Sequence, residues 1–308
     1  MTPTTVGGMT DRRIMLVHAH PDDECIGTGA TMARYVDEGV GVTLVTCTAG
    51  EMGEVLVPDL SYLAFEEKGG LGEHRRGELD EAMAVLGVTD HRFLGGFGRF
   101  HDSGMAWHEE GYAIAAEDIP DNAFWTTDLA EAADELVKVI REVRPQVLVT
   151  YDQFGGYGHP DHIQAHRVAM YASQLAAVPS YRLELGEPHD VTKVYWTAMS
   201  ESRMRESLRR LRESGDTETF KGMEPDGKLP PFITPDEWIS ARVDGTGTVQ
   251  RKMDALRKHA TQVEQEGGFF AGAESGHSWW AEEFYRLVKG TAGPADDDGF
   301  EPDLFAGL

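Results

Sequence analysis

Apolar positions in the first half of the chain follow two alternating rhythms. Short apolar runs at 14–18, 42–48, 91–94 and 146–151 read as buried strands, and segments of helical period occupy 26–38, 73–86, 129–143 and 160–176. Gly39 and Gly87 follow the first two helical segments, where a left-handed terminating residue is favoured. Pro160 opens the last, because a missing amide proton costs nothing in a first turn. This alternation predicts right-handed crossovers and an α/β fold: a doubly wound, mostly parallel, Rossmann-like sheet. Past residue 180 the rhythm weakens to a strand at Lys193–Ala198, a helix at Glu201–Glu213, a Pro/Gly-rich stretch at 222–235 and helices at 249–264 and 279–288. The pattern divides the chain into a flexible arm over 1–12, an α/β core over 13–180, a smaller C-terminal α/β extension over 181–290, and a loose acidic tail over 291–308. Two long loops, 50–72 and 95–126, interrupt the core, and loops of that length inside a compact domain are usually functional.

Polar side chains crowd where two of these strands end. His18-Ala19-His20-Pro21-Asp22-Asp23-Glu24 closes the first strand, and Tyr157-Gly158-His159-Pro160-Asp161-His162 follows the strand at 146–151. Either stretch by itself reads equally well as a helix N-terminus, since Asp22 or Asp23 can cap free amides. Together they mean more. In an open parallel sheet, ligands sit beyond the carboxyl ends of the strands, where the strand order 3-2-1-4 reverses, and both stretches lie on those two loops.

His20, Asp23 and His162 then supply two imidazoles and a carboxylate to one ion per chain, with open positions left for chemistry. Zn2+ suits that set, and Fe2+ also accepts it. Asp22 is left free as general base toward a water the metal acidifies. His159 is suited to protonating a leaving amine, Tyr157 to donating to an oxyanion, and Asp161 to orienting an imidazole and keeping it charged. His18 reads as a satisfied interior histidine and His166 as a packing residue, while His74, His91, His101, His108, His189, His259 and His277 read as surface or loop positions. By spacing alone Arg75 is an exposed helix charge, and Asp102-Ser103-Gly104-Met105 is a turn.

Composition narrows the function. The chain has 308 residues, 41% hydrophobic and 26% charged, which is ordinary for a globular protein able to bury a large core. A net charge of −25 argues against nucleic acid or an anionic membrane as partner and suits a small polar substrate. The N-terminus lacks the basic start and apolar core of a secretory signal, and no run is long enough to span a bilayer. Cys25 and Cys47 are too few for a disulfide framework and fit a reducing cytoplasm, with Cys25 a small buried residue. A homo-oligomer is compatible with all of this. A Gly-x-Gly-x-x-Gly turn is missing after the first strand, which argues against dinucleotide binding.

The two polar stretches, together with Arg75-Arg76-Gly77-Glu78-Leu79, Asp102-Ser103-Gly104-Met105, Thr150-Tyr151-Asp152 and His259-Ala260-Thr261-Gln262, resemble the zinc-dependent N-acetylglucosaminyl deacetylase family. Within it, the chain is most similar to the deacetylases of N-acetylglucosaminyl-inositol in mycothiol biosynthesis. The resemblance implies zinc on His20, Asp23 and His162, Asp22 as base, His159 and Tyr157 as acid and oxyanion donor, and Asp161 behind His159. It also implies that Arg75, Asp102 and Met105 bind the amino-sugar substrate, which raises Arg75 and Asp102 above their readings by spacing. The segment 201–212 and the ending Leu304-Phe305-Ala306-Gly307 are similar to the sister branch, the mycothiol S-conjugate amidases, which supplies the alternative activity.

Overall fold

The computed structural model describes residues 11–217, 220, 223–265, 270 and 280–308. The elements in chain order are β1 (Arg13–His18), α1 (Asp23–Asp37), β2 (Gly41–Thr46), α2 (Leu71–Leu86), β3 (Asp90–Phe93), the short hairpin β4 (Ala106–Trp107) and β5 (Ala113–Ile114), α3 (Leu129–Val143), β6 (Val147–Thr150), a single turn α4 (Gly155–Gly158), α5 (Pro160–Leu175), β7 (Lys193–Ala198), α6 (Glu201–Glu213), β8 (Ala241–Asp244), α7 (Val249–Leu256) and β9 (Glu282–Lys289). The main sheet runs β3-β2-β1-β6-β7-β9-β8. Strands β3, β2, β1, β6 and β7 are parallel, and β9 is antiparallel to both β7 and β8.

Strand alternation explains the layers. Ile14 and Leu16 of β1 and Val147 and Val149 of β6 pack on one side, with Met32 of α1, Leu79 of α2 and Leu256 of α7. Met15, Val17 and Leu148 face the opposite side, against Leu136 and Ile140 of α3 and Val168 of α5. Both faces of the central strands are therefore covered, which is why they read as unbroken apolar runs. The sheet order reverses at β1, with β2 on one side and β6 on the other, and that reversal leaves the crevice expected of the fold.

Three expectations change. A helix is expected at 279–288, but Glu282–Lys289 form strand β9, inserted between β7 and β8, where the aromatic and β-branched residues Phe284, Tyr285 and Val288 suit a pleated surface. The helix expected to reach 264 ends at Leu256. The acidic tail is tied down: Glu301 is buried against the Lys193 ammonium, accepts from the Tyr195 hydroxyl at 2.6 Å, and is followed by buried Leu304 and Phe305. The Leu304 amide donates to the Tyr35 hydroxyl at 2.8 Å, so the tail closes over α1. Among the described residues no helix is long and apolar enough to cross a membrane.

Breaking one side of a buried ion pair leaves an uncompensated charge, so Glu301→Gln is expected to cost about 3–5 kcal/mol of unfolding free energy. Urea denaturation measures this. A loss below about 1 kcal/mol would show that the tail only rests on the surface.

Candidate active site

The loops after β1 and β6 meet at the carboxyl edge of the sheet. His20 leaves β1 behind Ala19, whose amide donates to the Tyr151 hydroxyl at 2.9 Å. Asp23 begins α1 and its Oδ2 accepts the His20 amide at 3.0 Å. His162 lies in the first turn of α5, with its ring stacked on Tyr151 at a centroid distance of 4.3 Å. His20 Nδ1, Asp23 Oδ2 and His162 Nε2 form a triangle whose three edges are each 3.3 Å. Metal bonds of about 2.0–2.1 Å in tetrahedral geometry place donor atoms about 3.3 Å apart, so the residues present fit a divalent cation with a fourth position left over. Two further atoms support the triangle from outside. Asp161 Oδ2 lies 3.2 Å and Asp102 Oδ1 3.5 Å from His20 Nε2, the nitrogen that faces away from the triangle. This is the outer carboxylate that fixes the tautomer of a metal-ligating histidine.

The Asp161 carboxylate thus serves His20 and not His159, contrary to the pairing expected from the resemblance. It is held in turn by the Ser103 amide at 2.9 Å and by the Ser103 hydroxyl, whose oxygen accepts from the Trp125 amide at 2.9 Å. His159 caps α5 instead, its Nδ1 accepting from the Asp161 amide at 3.1 Å, which assigns its remaining proton to Nε2. Burial, reinforced by the neighbouring His20 and His162 rings, pushes His159 well below the usual imidazole range, so the ring is neutral. The expectation of a charged imidazole at this position therefore fails.

Asp22 and Asp23 diverge because the backbone at Asp22 lies outside the helical and extended regions, at the positive φ of 106° with ψ −36°. Such a conformation costs on the order of 1–3 kcal/mol in a residue with a side chain. The Arg75 guanidinium meets the turned Asp22 carboxylate at 2.9 Å and also donates to the carbonyls of Gly50 (2.8 Å) and Pro21. Gly50 makes the room, since a Cβ there would lie 1.9 Å from Arg75 Nη1. Burial raises the Asp22 carboxyl to about 6, against the opposing pull of Arg75. Its side chain is 17% exposed, compared with 4% for Arg75.

Arg75 is therefore an interior residue whose donors point at Asp22 and the loop carbonyls. Asp102 is equally enclosed: its carboxylate accepts from the Met52 amide at 3.1 Å and the Gly104 amide at 2.9 Å. Met105 is half-buried just before the hairpin. Tyr157 stacks on Trp107 of that hairpin at 5.9 Å and presents its edge to His162 at 5.1 Å. Gly158, at φ 100°, permits the approach, because a Cβ would lie 2.5 Å from the Ala113 carbonyl oxygen.

With this geometry established, comparison with known proteins adds a family. Residues 15–173 match the family described as PIG-L: GlcNAc-PI de-N-acetylase. The chain belongs to the PIG-L family. It is 67% identical over 299 residues, 97% of its own length and 99% of the relative's, to a 1D-myo-inositol 2-acetamido-2-deoxy-alpha-D-glucopyranoside deacetylase of a Nocardioides species. A protein of the same name from Kribbella flavida is 61% identical over 301 residues, 97% of this chain and 99% of that one. Among solved structures, the N,N'-diacetylchitobiose deacetylase of Pyrococcus horikoshii superposes with a TM-score of 0.58 at 18% identity, covering 90% of this chain and 84% of that one, which establishes a shared fold. These relatives are deacetylases by name, and this PIG-L protein is likewise an amide hydrolase.

Sequence reading missed two residues of this region. His259 is wholly buried, not at the surface, and its Nε2 is paired with Glu24 Oε1 at 2.8 Å. Ser103, read only as part of a turn, carries the Asp161 carboxylate. The acidic residue inside the first turn of α1 was a signal for the first. No local pattern announces the second. His18 is an interior residue bonded to Thr28 at 2.9 Å, and His166 Nδ1 pairs with the Tyr151 carbonyl at 3.0 Å. Cys25 and Cys47 are buried and free, with both thiols pushed up by burial. His277 lies outside the described residues.

Replacing Asp161 with Asn is expected to weaken metal binding about 10–100-fold without removing a donor, as for other outer carboxylates. Competition with a chelating dye at fixed pH measures this. Affinity unchanged within error would mean that Asp161 only ties the Ser103 loop to α5.

Proposed function

We propose that this PIG-L protein hydrolyses the N-acetyl group of N-acetylglucosaminyl-inositol, giving glucosaminyl-inositol and acetate in mycothiol biosynthesis. What carries the reading is a donor triangle fit for a metal beside a spare, turned carboxylate, in a chain 67% identical over 97% of its length to a deacetylase of that substrate. His20, Asp23 and His162 hold one ion, and Zn2+ is the proposed metal on the strength of the two-imidazole, one-carboxylate set, with Fe2+ the alternative. When bound, the ion supplies Lewis acidity that acidifies water and polarises the amide carbonyl.

The protein's own groups complete the reaction. Asp22 takes a proton from the attacking water, and Arg75 keeps its carboxylate turned toward the cleft. The water oxygen bonds to the acetyl carbon. The Tyr157 hydroxyl, kept neutral by burial, which pushes its pKa up, donates to the carbonyl oxygen as negative charge develops there. A neutral His159 can give up its Nε2 proton only by becoming an imidazolate, so it donates an Nε2 hydrogen bond to the same carbonyl oxygen. Asp22 passes the proton it took from the water to the departing nitrogen as the C–N bond breaks, releasing the free amine and acetate. Asp161 holds His20 in register throughout. The proposed sugar contacts are Arg75, Asp102 and Met105 at the floor and wall of the cleft. Arg75 and Asp102 are so enclosed that a hydroxyl reaches them only by displacing a present partner. The compartment proposed is the cytoplasm, where two free thiols persist.

Asp22→Ala is expected to lower kcat about 10²–10⁴-fold while the ion is retained, whereas Ala at His20 or Asp23 loses the ion itself. Metal analysis combined with amine release distinguishes the two classes, and wild-type activity in both would overturn the assignment. Turnover of N-acetylglucosaminyl-inositol is expected to exceed that of a mycothiol S-conjugate. The reverse order would transfer the chain to the amidase branch.

A further inference from the structure

Asp22 is not the only positive-φ side-chain residue described, but it is the exceptional one. Arg144, Arg182 and Phe220, at 55°, 39° and 54°, sit near the ordinary left-handed region, whereas Asp22 lies at 106°. Its carbonyl accepts the amides of Cys25 (3.0 Å) and Ile26 (3.1 Å), so the first turn of α1 pulls on the same residue that must turn outward. Arg75 holds the carboxylate from the front. A second contact holds the backbone from behind: the Asp22 amide donates to Glu24 Oε2 at 2.9 Å.

Glu24 is no ordinary acidic residue of a helix start. It is wholly buried, and its second oxygen, Oε1, is engaged by His259 Nε2 at 2.8 Å and by the Cys25 thiol at 3.0 Å. His259 reaches it across 235 positions of sequence and is itself wholly buried. A simple helix cap needs no tertiary tie of that kind, because solvent or a neighbouring amide suffices at an exposed terminus. Nor do the three side chains make a second metal site as good as the first. Their distances of 2.8, 3.0 and 3.8 Å are those of hydrogen bonds to one carboxylate oxygen, with the sulfur too far from the imidazole and the carboxylate too close.

We propose that Glu24 and His259 are positioning residues for Asp22. His259 fixes the Glu24 carboxylate, and Glu24 in turn fixes the unfavourable backbone turn that separates the Asp22 carboxylate from the metal-facing Asp23. Neither residue touches substrate or the reacting atoms. The inference rests on the reading of Asp22 as general base.

The test is a kinetic cycle on the full-length metal-loaded enzyme, with N-acetylglucosaminyl-inositol as substrate. A base displaced by about 1 Å loses about 100-fold in rate, so Glu24→Ala is expected to lower kcat by that factor, with KM within about threefold and metal content unchanged. Glu24→Gln keeps an oxygen for the Asp22 amide and is expected to recover kcat to within about tenfold of wild type. In an Asp22→Asn background, Glu24→Ala is expected to change residual kcat by less than about twofold, because no base remains to be positioned. Effects that multiply across the two backgrounds, loss of metal, or a rise in KM alone would overturn the proposal. Should Glu24→Ala fail to give a cooperative thermal transition, His259→Gln runs through the same cycle with about a tenfold loss of kcat expected. Full turnover in Asp22→Asn alone would instead sink the general-base reading and the positioning role with it, an outcome separable from failure of Glu24.

Discussion

Two imidazoles and a carboxylate with their donor atoms 3.3 Å apart in a buried corner are a poor arrangement for a protein that binds nothing there. The interior penalises unpaired charge, and donors aimed at one point compete for the same proton. A cation at that point satisfies all of them, and the rest of the site is arranged around it. Strands β1 and β6 are hydrogen-bonded neighbours, with Leu16 opposite Val149, so the loops that follow them must diverge at the same edge of the sheet. Sheet topology thereby joins His20 to His162 across 142 positions of sequence.

Around that triangle lies a layer of groups whose work is to hold other groups. Asp161 orients His20, and Ser103 and the Trp125 amide hold Asp161. Arg75 spends its guanidinium on Asp22 and on the carbonyls of Pro21 and Gly50. Each of these contacts ties the long loops to the strand ends, so that irregular backbone becomes as well determined as the strands it leaves. The cost is concentrated at Asp22, where an unfavourable turn lets adjacent carboxylates face different tasks.

The C-terminal half serves the same edge from a distance. Strands β7, β9 and β8 extend the main sheet beyond β6, and the tail closes back over α1 through Tyr35 while Glu301 neutralises Lys193. The relatives of the PIG-L family that match nearly the whole chain share this extent, whereas the family match itself spans 15–173, where both metal loops lie. At 18% identity the Pyrococcus enzyme retains the fold.

Much of this was legible in the linear chain because it depends on local periodicity and composition. Apolar runs and helical spacing sufficed for β1, α1, β2, α2, α3, β6 and α5, and crossover geometry sufficed to bring His20, Asp23 and His162 to one place. What local pattern cannot carry is partnership across the interior. Residues 282–288 have an aromatic and charged rhythm compatible with either helix or strand, and only the open edge of β7 made them a strand. The acidic tail reads as solvated until Lys193 and Tyr35 are found beneath it. His259 looks like a loop residue until Glu24 is found against it, and Asp161 chose His20 over the adjacent His159 because the ring of His159 was already turned to cap α5. Sequence by itself determined which residue types stand at the ends of which elements. The tertiary structure alone decided their partners, because a buried charge is settled by whatever lies nearest in space, whatever its distance along the chain.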